Sequence, residues 1–124
     1  MKKIIITLAI VLCFSIAHAG EWYHAEYSTF VNFGSGLYVS NVAFDIQPAN
    51  EYFIVNGMIA TSGANAAFWG TAQIDSTGRI LVGAANVLGQ KILITIEPDG
   101  QTGEINFMDF SKKAAITMTE LREP

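Results

Sequence analysis

Cysteine is almost absent from this chain of 124 residues, which contains one, Cys13. Charged residues are also sparse at 15%, against about 25% in an average globular protein. A chain that is 51% hydrophobic is not disordered, and with one cysteine it has no disulfide framework. The sequence therefore has to fold around an apolar core, and its length suits one compact unit.

The sequence does not contain the residues that several classes of function require. A net charge of −4 without clustered Lys or Arg disfavours nucleic acid and anionic lipid as partners. No glycine-rich loop leads into a helix, so no phosphate cradle is expected. One histidine remains after residue 18, and metal sites usually need three or four ligands. The sequence thus favours a protein without catalytic activity, cofactor or bound metal.

The first nineteen residues have the pattern of an export signal. Lys2 and Lys3 precede an apolar stretch, residues 4–16, which is shorter than the roughly 20 residues of a membrane-spanning helix. Ala17-His18-Ala19 has the small residues of a cleavage site. We expect a signal peptide over residues 1–19, cleavage near Ala19/Gly20, and a periplasmic or secreted domain over residues 20–124 with no membrane span. Without Lys2 and Lys3 the net charge becomes −6.

After the signal, turn residues recur about every thirteen positions. Gly, Asn, Asp, Ser and Pro cluster there, and the intervening segments are rich in Val, Ile, Thr and aromatic residues, which suit strands. The pattern predicts an all-β fold, a small antiparallel meander of about eight strands that closes into a barrel, with a two-sheet β-sandwich as the alternative. The predicted strands are Trp22–Phe33, Leu37–Ile46, Tyr52–Thr61, Ala67–Ile74, Arg79–Val87, Lys91–Glu97, Glu104–Phe110 and Ala114–Leu121.

Three glycines, Gly57, Gly70 and Gly83, follow one another at intervals of thirteen. Each alternates with apolar residues expected in the core, including Leu81 and Val87 beside Gly83. Glycine weakens a strand, so a repeated glycine needs a structural reason. The sharp bending of a small barrel is the reason that we expect.

Strands three to five are apolar on both faces. The residues expected to face outward are Ile54, Met58, Trp69, Val82 and Ala84. If the three strands are neighbours, these side chains form an exposed apolar patch, and such patches usually contact another protein or subunit. We therefore interpret the five residues as a candidate interaction surface.

His24 and Glu26 are the only candidate polar site. Strand alternation places them on one face of the first strand, where they could act as a base and its orienting carboxylate or as metal ligands. Without a neighbouring nucleophile or a second histidine, a partly exposed histidine is the simpler interpretation.

Two short resemblances to exported barrels occur. Gly20-Glu21-Trp22 and Arg122 resemble the G-x-W motif and late arginine of lipocalin and avidin-like barrels. Ser35-Gly36-Leu37-Tyr38 is similar to the S-G-x-x-Y motif of periplasmic lysozyme inhibitors, with one residue fewer. The matches cover four residues each, and no family is assigned from them. The predicted function is binding of a protein partner or of a second copy of the chain. One alternative is binding of a small apolar ligand inside the barrel. The other is inhibition of an exported enzyme such as a cell-wall hydrolase.

Overall fold

The computed structural model describes residues 22–49 and 51–123. The predicted export signal and its cleavage site lie outside the described residues. Eight antiparallel strands follow one another through the described part: β1 Tyr23–Gly34, β2 Leu37–Ala49, β3 Tyr52–Thr61, β4 Ala66–Ile74, β5 Ile80–Asn86, β6 Lys91–Ile96, β7 Thr102–Phe107 and β8 Lys112–Arg122.

The sheet closes on itself. Each strand pairs with its neighbours in sequence, and β1 also pairs with β8, with His24 opposite Arg122 and Ser28 opposite Thr117. Closure leaves no unpaired sheet edge. The predicted all-β barrel is confirmed, and the sandwich alternative is wrong. The predicted strand bounds differ from the observed ones by three residues or fewer.

The two ends of the barrel differ in their connections. The β1–β2, β3–β4, β5–β6 and β7–β8 hairpins lie at one end, which we call the open end. The other three hairpins and both ends of the described chain lie at what we call the closed end. Between β7 and β8 a short 3₁₀ helix, Met108–Phe110, lies at the open end. None of the helices in the described part is long and apolar enough to cross a membrane.

The barrel interior is packed with large apolar side chains toward the closed end. Tyr27 is completely buried there, and its ring stacks on Phe44 with 5.8 Å between the ring centroids. The Tyr27 hydroxyl donates a 2.7 Å hydrogen bond to the carbonyl of Gly100 in the β6–β7 hairpin. Burial, with the nearby Asp99 charge, raises the pKa of Tyr27 and keeps the hydroxyl protonated as a donor. This bond ties the hairpin to the interior.

The glycines of β3 and β4 allow close packing inside the barrel. The ring of Phe68 lies against Gly57, where a methyl group would overlap it. At Gly70 a methyl group would overlap the Gly83 carbonyl, so β4 and β5 approach here as only glycine allows. Gly83 itself faces open space outside the barrel. The expectation that all three glycines face the core is therefore wrong for Gly83.

The face predicted for β5 is inverted. Ile80 and Val82 are buried, whereas Leu81 is exposed and Val87 is 80% exposed. Register explains the inversion, because Val82 pairs with Ala72 of β4 and Ile94 of β6, which both face inward. Both faces of β5 are apolar, so the sequence alternation could not choose between them.

Removing the Tyr27 hydroxyl tests the closed end. We expect Tyr27→Phe to lower the free energy of unfolding by about 1–2 kcal/mol, because the buried Gly100 carbonyl loses its partner. Urea unfolding measures the loss. The control is Tyr38→Phe, which removes an exposed hydroxyl and should change the free energy by less than about 0.5 kcal/mol. Equal effects of the two changes would contradict the role given to the hydrogen bond.

Candidate functional site

A cavity of about 450 Å³ enters the barrel from the open end. All four hairpins of that end contribute to it. Its lining consists of Phe33, Leu37, Val39, Ile59, Thr61, Ala64, Ala66, Asn86, Leu88, Gln90, Lys91, Ile92, Phe107 and Phe110. This volume is within the range of about 300–1,000 Å³ that is usual for small-molecule sites, and the lining is mostly apolar as such sites are.

The cavity extends along β4, where the inward-facing side chains become small toward the open end. On β4, Ala66 lines the cavity, and Phe68 is the next inward residue toward the closed end. On β5 the residue that lines the cavity is Asn86, at the end of the strand. Beside β4 the space between Phe68 and the mouth is therefore left open.

Three phenylalanine rings form one wall of the mouth. Phe33 makes edge-to-face contacts with Phe107 and Phe110, each with 5.2 Å between ring centroids. The 3₁₀ helix supplies Phe110, and the chain leaves that helix through Ser111, whose φ of 52° lies in the left-handed region. Such aromatic pairs are favourable beyond their buried area. The wall is therefore apolar and held in place by ring packing.

Few polar groups that face the cavity are free to form a hydrogen bond or an ion pair with a ligand. Asn86 and Gln90 bond to each other at 2.7 Å, and the Asn86 side-chain oxygen also accepts the backbone N–H groups of Leu88 and Gln90. The side chain of Lys91 has no ion pair within residues 22–49 and 51–123. The mouth thus carries one uncompensated ammonium group beside an apolar interior.

A polar cluster lies on the outside of the barrel, in the half next to the closed end, which we call the closed half. The imidazole of His24 contacts Asp45 through Nδ1 at 2.6 Å and Glu26 through Nε2 at 2.9 Å. Glu120 Oε2 is 3.9 Å from the same Nε2, and Arg122 Nε donates to Glu120 at 2.9 Å. β1, β2 and β8 bring these groups together because His24 is opposite both Asp45 and Arg122.

The cluster favours a charged imidazole. Both ring nitrogens face carboxylate oxygens, which only accept hydrogen bonds, so a doubly protonated ring satisfies both contacts. Burial and the positive charge of Arg122 lower the pKa of His24. The hydrogen bonds with Glu26 and Asp45 and the negative charge of Asp45 raise it by more, so the pKa of His24 is raised overall. The bonds with His24 and Glu120 lower the pKa of Glu26 against a small effect of burial. One atom each from His24, Glu26 and Glu120 lies within 4.8 Å of the others, a set that could also hold a cation.

The predicted pairing of His24 with Glu26 is thus present, but sequence reasoning missed Asp45 and Glu120. Both are far from His24 in sequence and are brought to it only by the strand register. Within the described residues no serine, threonine or tyrosine hydroxyl bonds to His24. The cluster can hold a proton between carboxylates.

Of the predicted outer patch, three residues face outward. Ile54 and Met58 are exposed, and Trp69 is 50% exposed. Val82 and Ala84 were predicted on this face, and that placement is wrong: Val82 is completely buried and Ala84 packs against the core. Leu81 and Leu93, which face outward on β5 and β6, were missed.

The outer face contains a shallow groove of about 400 Å³. Trp69, Leu93 and Met108 border it, and Gly83 and Ala85 form its base because they have little or no side chain. Lys91 lines both this groove and the mouth of the cavity. The structure therefore separates an outer apolar groove from the cavity inside the barrel.

Comparisons with known proteins add no relatives: no protein-family model, curated protein or solved structure matches this chain.

The pKa of His24 predicts how stability varies with pH. The pKa of His24 is higher in the folded protein than in the unfolded chain. Its protonation therefore stabilises the fold fully at pH values below the unfolded-state pKa, and this stabilisation is lost as the pH rises through the folded-state pKa. The free energy of unfolding should therefore fall as pH rises from about 6 to 8, by less than about 1 kcal/mol. His24→Gln, with a neutral side chain, should remove most of this slope. Urea unfolding across the pH range measures it, and equal slopes would contradict the assignment.

Proposed function

We propose that this protein is an exported, non-catalytic binding protein that takes a small apolar molecule, or the apolar part of an amphiphile, into the open-end cavity. The observation that carries the proposal is the cavity itself, about 450 Å³ and lined mainly by aliphatic and aromatic side chains. Transfer of apolar surface from water into such a site contributes about 25 cal/mol per Å². A ligand of this kind needs no specific polar partner to bind.

The arrangement of the barrel supports a carrier rather than an enzyme. The His24 cluster lies on the outside in the closed half, whereas residues of the four open-end hairpins line the cavity. A ligand in the cavity would therefore not touch the imidazole. Export remains part of the proposal and rests on the signal-like pattern of residues 1–19.

Filling the cavity tests the proposal. Ala66 lines the cavity on β4, and its neighbour Ala67 faces outward. We expect Ala66→Phe to weaken binding of the fluorescent apolar probe N-phenyl-1-naphthylamine by about tenfold or more, because the new ring occupies the space of the ligand. Ala67→Phe is the matched control and should bind the probe as the unchanged protein does.

Titration of probe fluorescence measures both variants, and circular dichroism checks that each retains the barrel. Unchanged probe affinity in a folded Ala66→Phe protein would contradict the proposal. So would an equal loss in both variants, because that would show binding outside the cavity.

The outer groove favours a second candidate, self-association through the face made by β3 to β6. Ile54, Met58 and Trp69 lie on this face, and aromatic side chains beside open apolar grooves are frequent anchors of interfaces. This keeps the predicted interaction surface in reduced form, without Val82 and Ala84.

Trp69 provides the test of self-association. We expect the unchanged protein to sediment as a dimer, and Trp69→Gln to weaken dimerisation by about tenfold or more, since the substitution removes the largest apolar group of the groove. Trp22→Gln is the control because Trp22 lies at the closed end, before β1. Analytical ultracentrifugation over a concentration series measures the change. A protein that stays monomeric at every soluble concentration would exclude this candidate.

A further inference from the structure

The charges of the barrel are sorted between its two ends. At the open end the described residues carry Lys91, Lys112 and Lys113 against one carboxylate, Asp109. Besides His24, the closed half has the remaining described carboxylates, nine in number, and both arginines: Glu26, Asp45, Glu51, Asp75, Glu97, Asp99, Glu104, Glu120, Glu123, Arg79 and Arg122. The open end is therefore net positive, although the chain as a whole is acidic.

The three lysines are available to a partner. No carboxylate of residues 22–49 and 51–123 lies within ion-pair distance of any of them. Asp109 accepts a hydrogen bond from the backbone N–H of Lys91 at 2.8 Å, which holds this carboxylate against the backbone. Lys112 pairs with Phe107, which lines the cavity, so the positive charge lies beside the mouth.

The tips of the same hairpins expose apolar side chains. In the β5–β6 hairpin, Val87 is 80% exposed and Leu88 is 78% exposed. Met108 and Phe110 of the 3₁₀ helix and Leu37 of the β1–β2 hairpin are also exposed. Exposed aliphatic and aromatic tips next to lysines are the combination by which proteins lie on membrane interfaces.

We propose that the open end docks on a lipid bilayer that contains anionic headgroups. The tip side chains enter the interface, and Lys91, Lys112 and Lys113 face the headgroups. In this position the cavity mouth opens toward the bilayer, so the apolar part of a lipid can enter it without crossing water. This docking rests on the proposed function and makes the bilayer the source of the ligand.

The acidic closed half does not oppose docking in this orientation. A strand rises about 3.3 Å per residue, so the ten residues of β3 keep the two ends well apart. That separation exceeds the screening length of about 8 Å at physiological salt. The lysines therefore act on the headgroups while the distant carboxylates are screened, which reverses the expectation drawn from net charge alone.

Flotation with vesicles of phosphatidylcholine and phosphatidylglycerol tests the docking surface, using the chain as recovered after export with its N-terminus determined by mass spectrometry. We expect binding to vesicles with 30% phosphatidylglycerol and much weaker binding to pure phosphatidylcholine. K112Q/K113Q should lower the vesicle affinity by about 25-fold, about fivefold for each lysine. Arg79→Gln, which removes a positive charge at the closed end, should not lower it.

The apolar tip has its own pair of variants. Leu88→Ser should lower vesicle affinity by about fivefold or more, whereas Ile54→Ser on the outer wall should leave it unchanged. All variants share one N-terminus, so differences among them report the surface that was changed. Absence of binding to anionic vesicles, or equal losses in tip and control variants, would overturn the proposal.

Fluorescence tests the orientation. In a protein with Trp22→Phe and Trp69→Phe, a single tryptophan introduced by Leu88→Trp should shift its emission to the blue on anionic vesicles. One introduced by Glu51→Trp, at the closed end, should not shift. A shift at Glu51→Trp, or none at Leu88→Trp, would overturn the proposal. Probe binding in the absence of vesicles is measured separately, so failure to dock leaves the cavity proposal intact.

Discussion

The interior of an eight-stranded barrel is just wide enough to be filled by side chains, and the character of this molecule depends on how far large side chains fill it. Toward the closed end, Tyr27 stacks on Phe44 and the Tyr27 hydroxyl holds the β6–β7 hairpin. Toward the open end the inward position of β4 is Ala66, which lines the cavity. One scaffold therefore combines a filled closed end, which can stabilise the fold, with a cavity at the open end, which can bind a ligand.

The fold could be predicted because two signals agree along most of the described chain. Turn residues recur at even spacing, and most strands alternate apolar and polar residues, as β6 does with Ile92, Ile94 and Ile96 inward. Where that alternation fails, prediction of the face fails with it. β5 is apolar on both sides, and only its register with Ala72 and Ile94 places Val82 inside.

The candidate sites could be predicted only in part, because each is assembled by pairing between distant residues. His24 and Glu26 are two residues apart and share a face, which the sequence indicates directly. Asp45 and Glu120 reach the same imidazole through the neighbouring strands. The cavity has a weaker signal, the small residues of β4 next to the β3–β4 hairpin, and its size depends on barrel closure, which no local pattern encodes.

Net charge does not describe how the charges of this barrel are distributed. The net charge adds the charges of Lys112 and Glu51 without regard to position, although these residues lie at opposite ends of the barrel. In an up-and-down meander the hairpins alternate between the ends, so residues of one sign can be collected at one end simply by occurring in every second turn. Lys91 and the Lys112-Lys113 pair follow two successive open-end turns, whereas Asp75 and Asp99 lie in two successive closed-end turns. The separation of charge between the two ends of this barrel is thus encoded in the sequence, because charges of one sign recur in alternate turns. The topology is needed to recognise it.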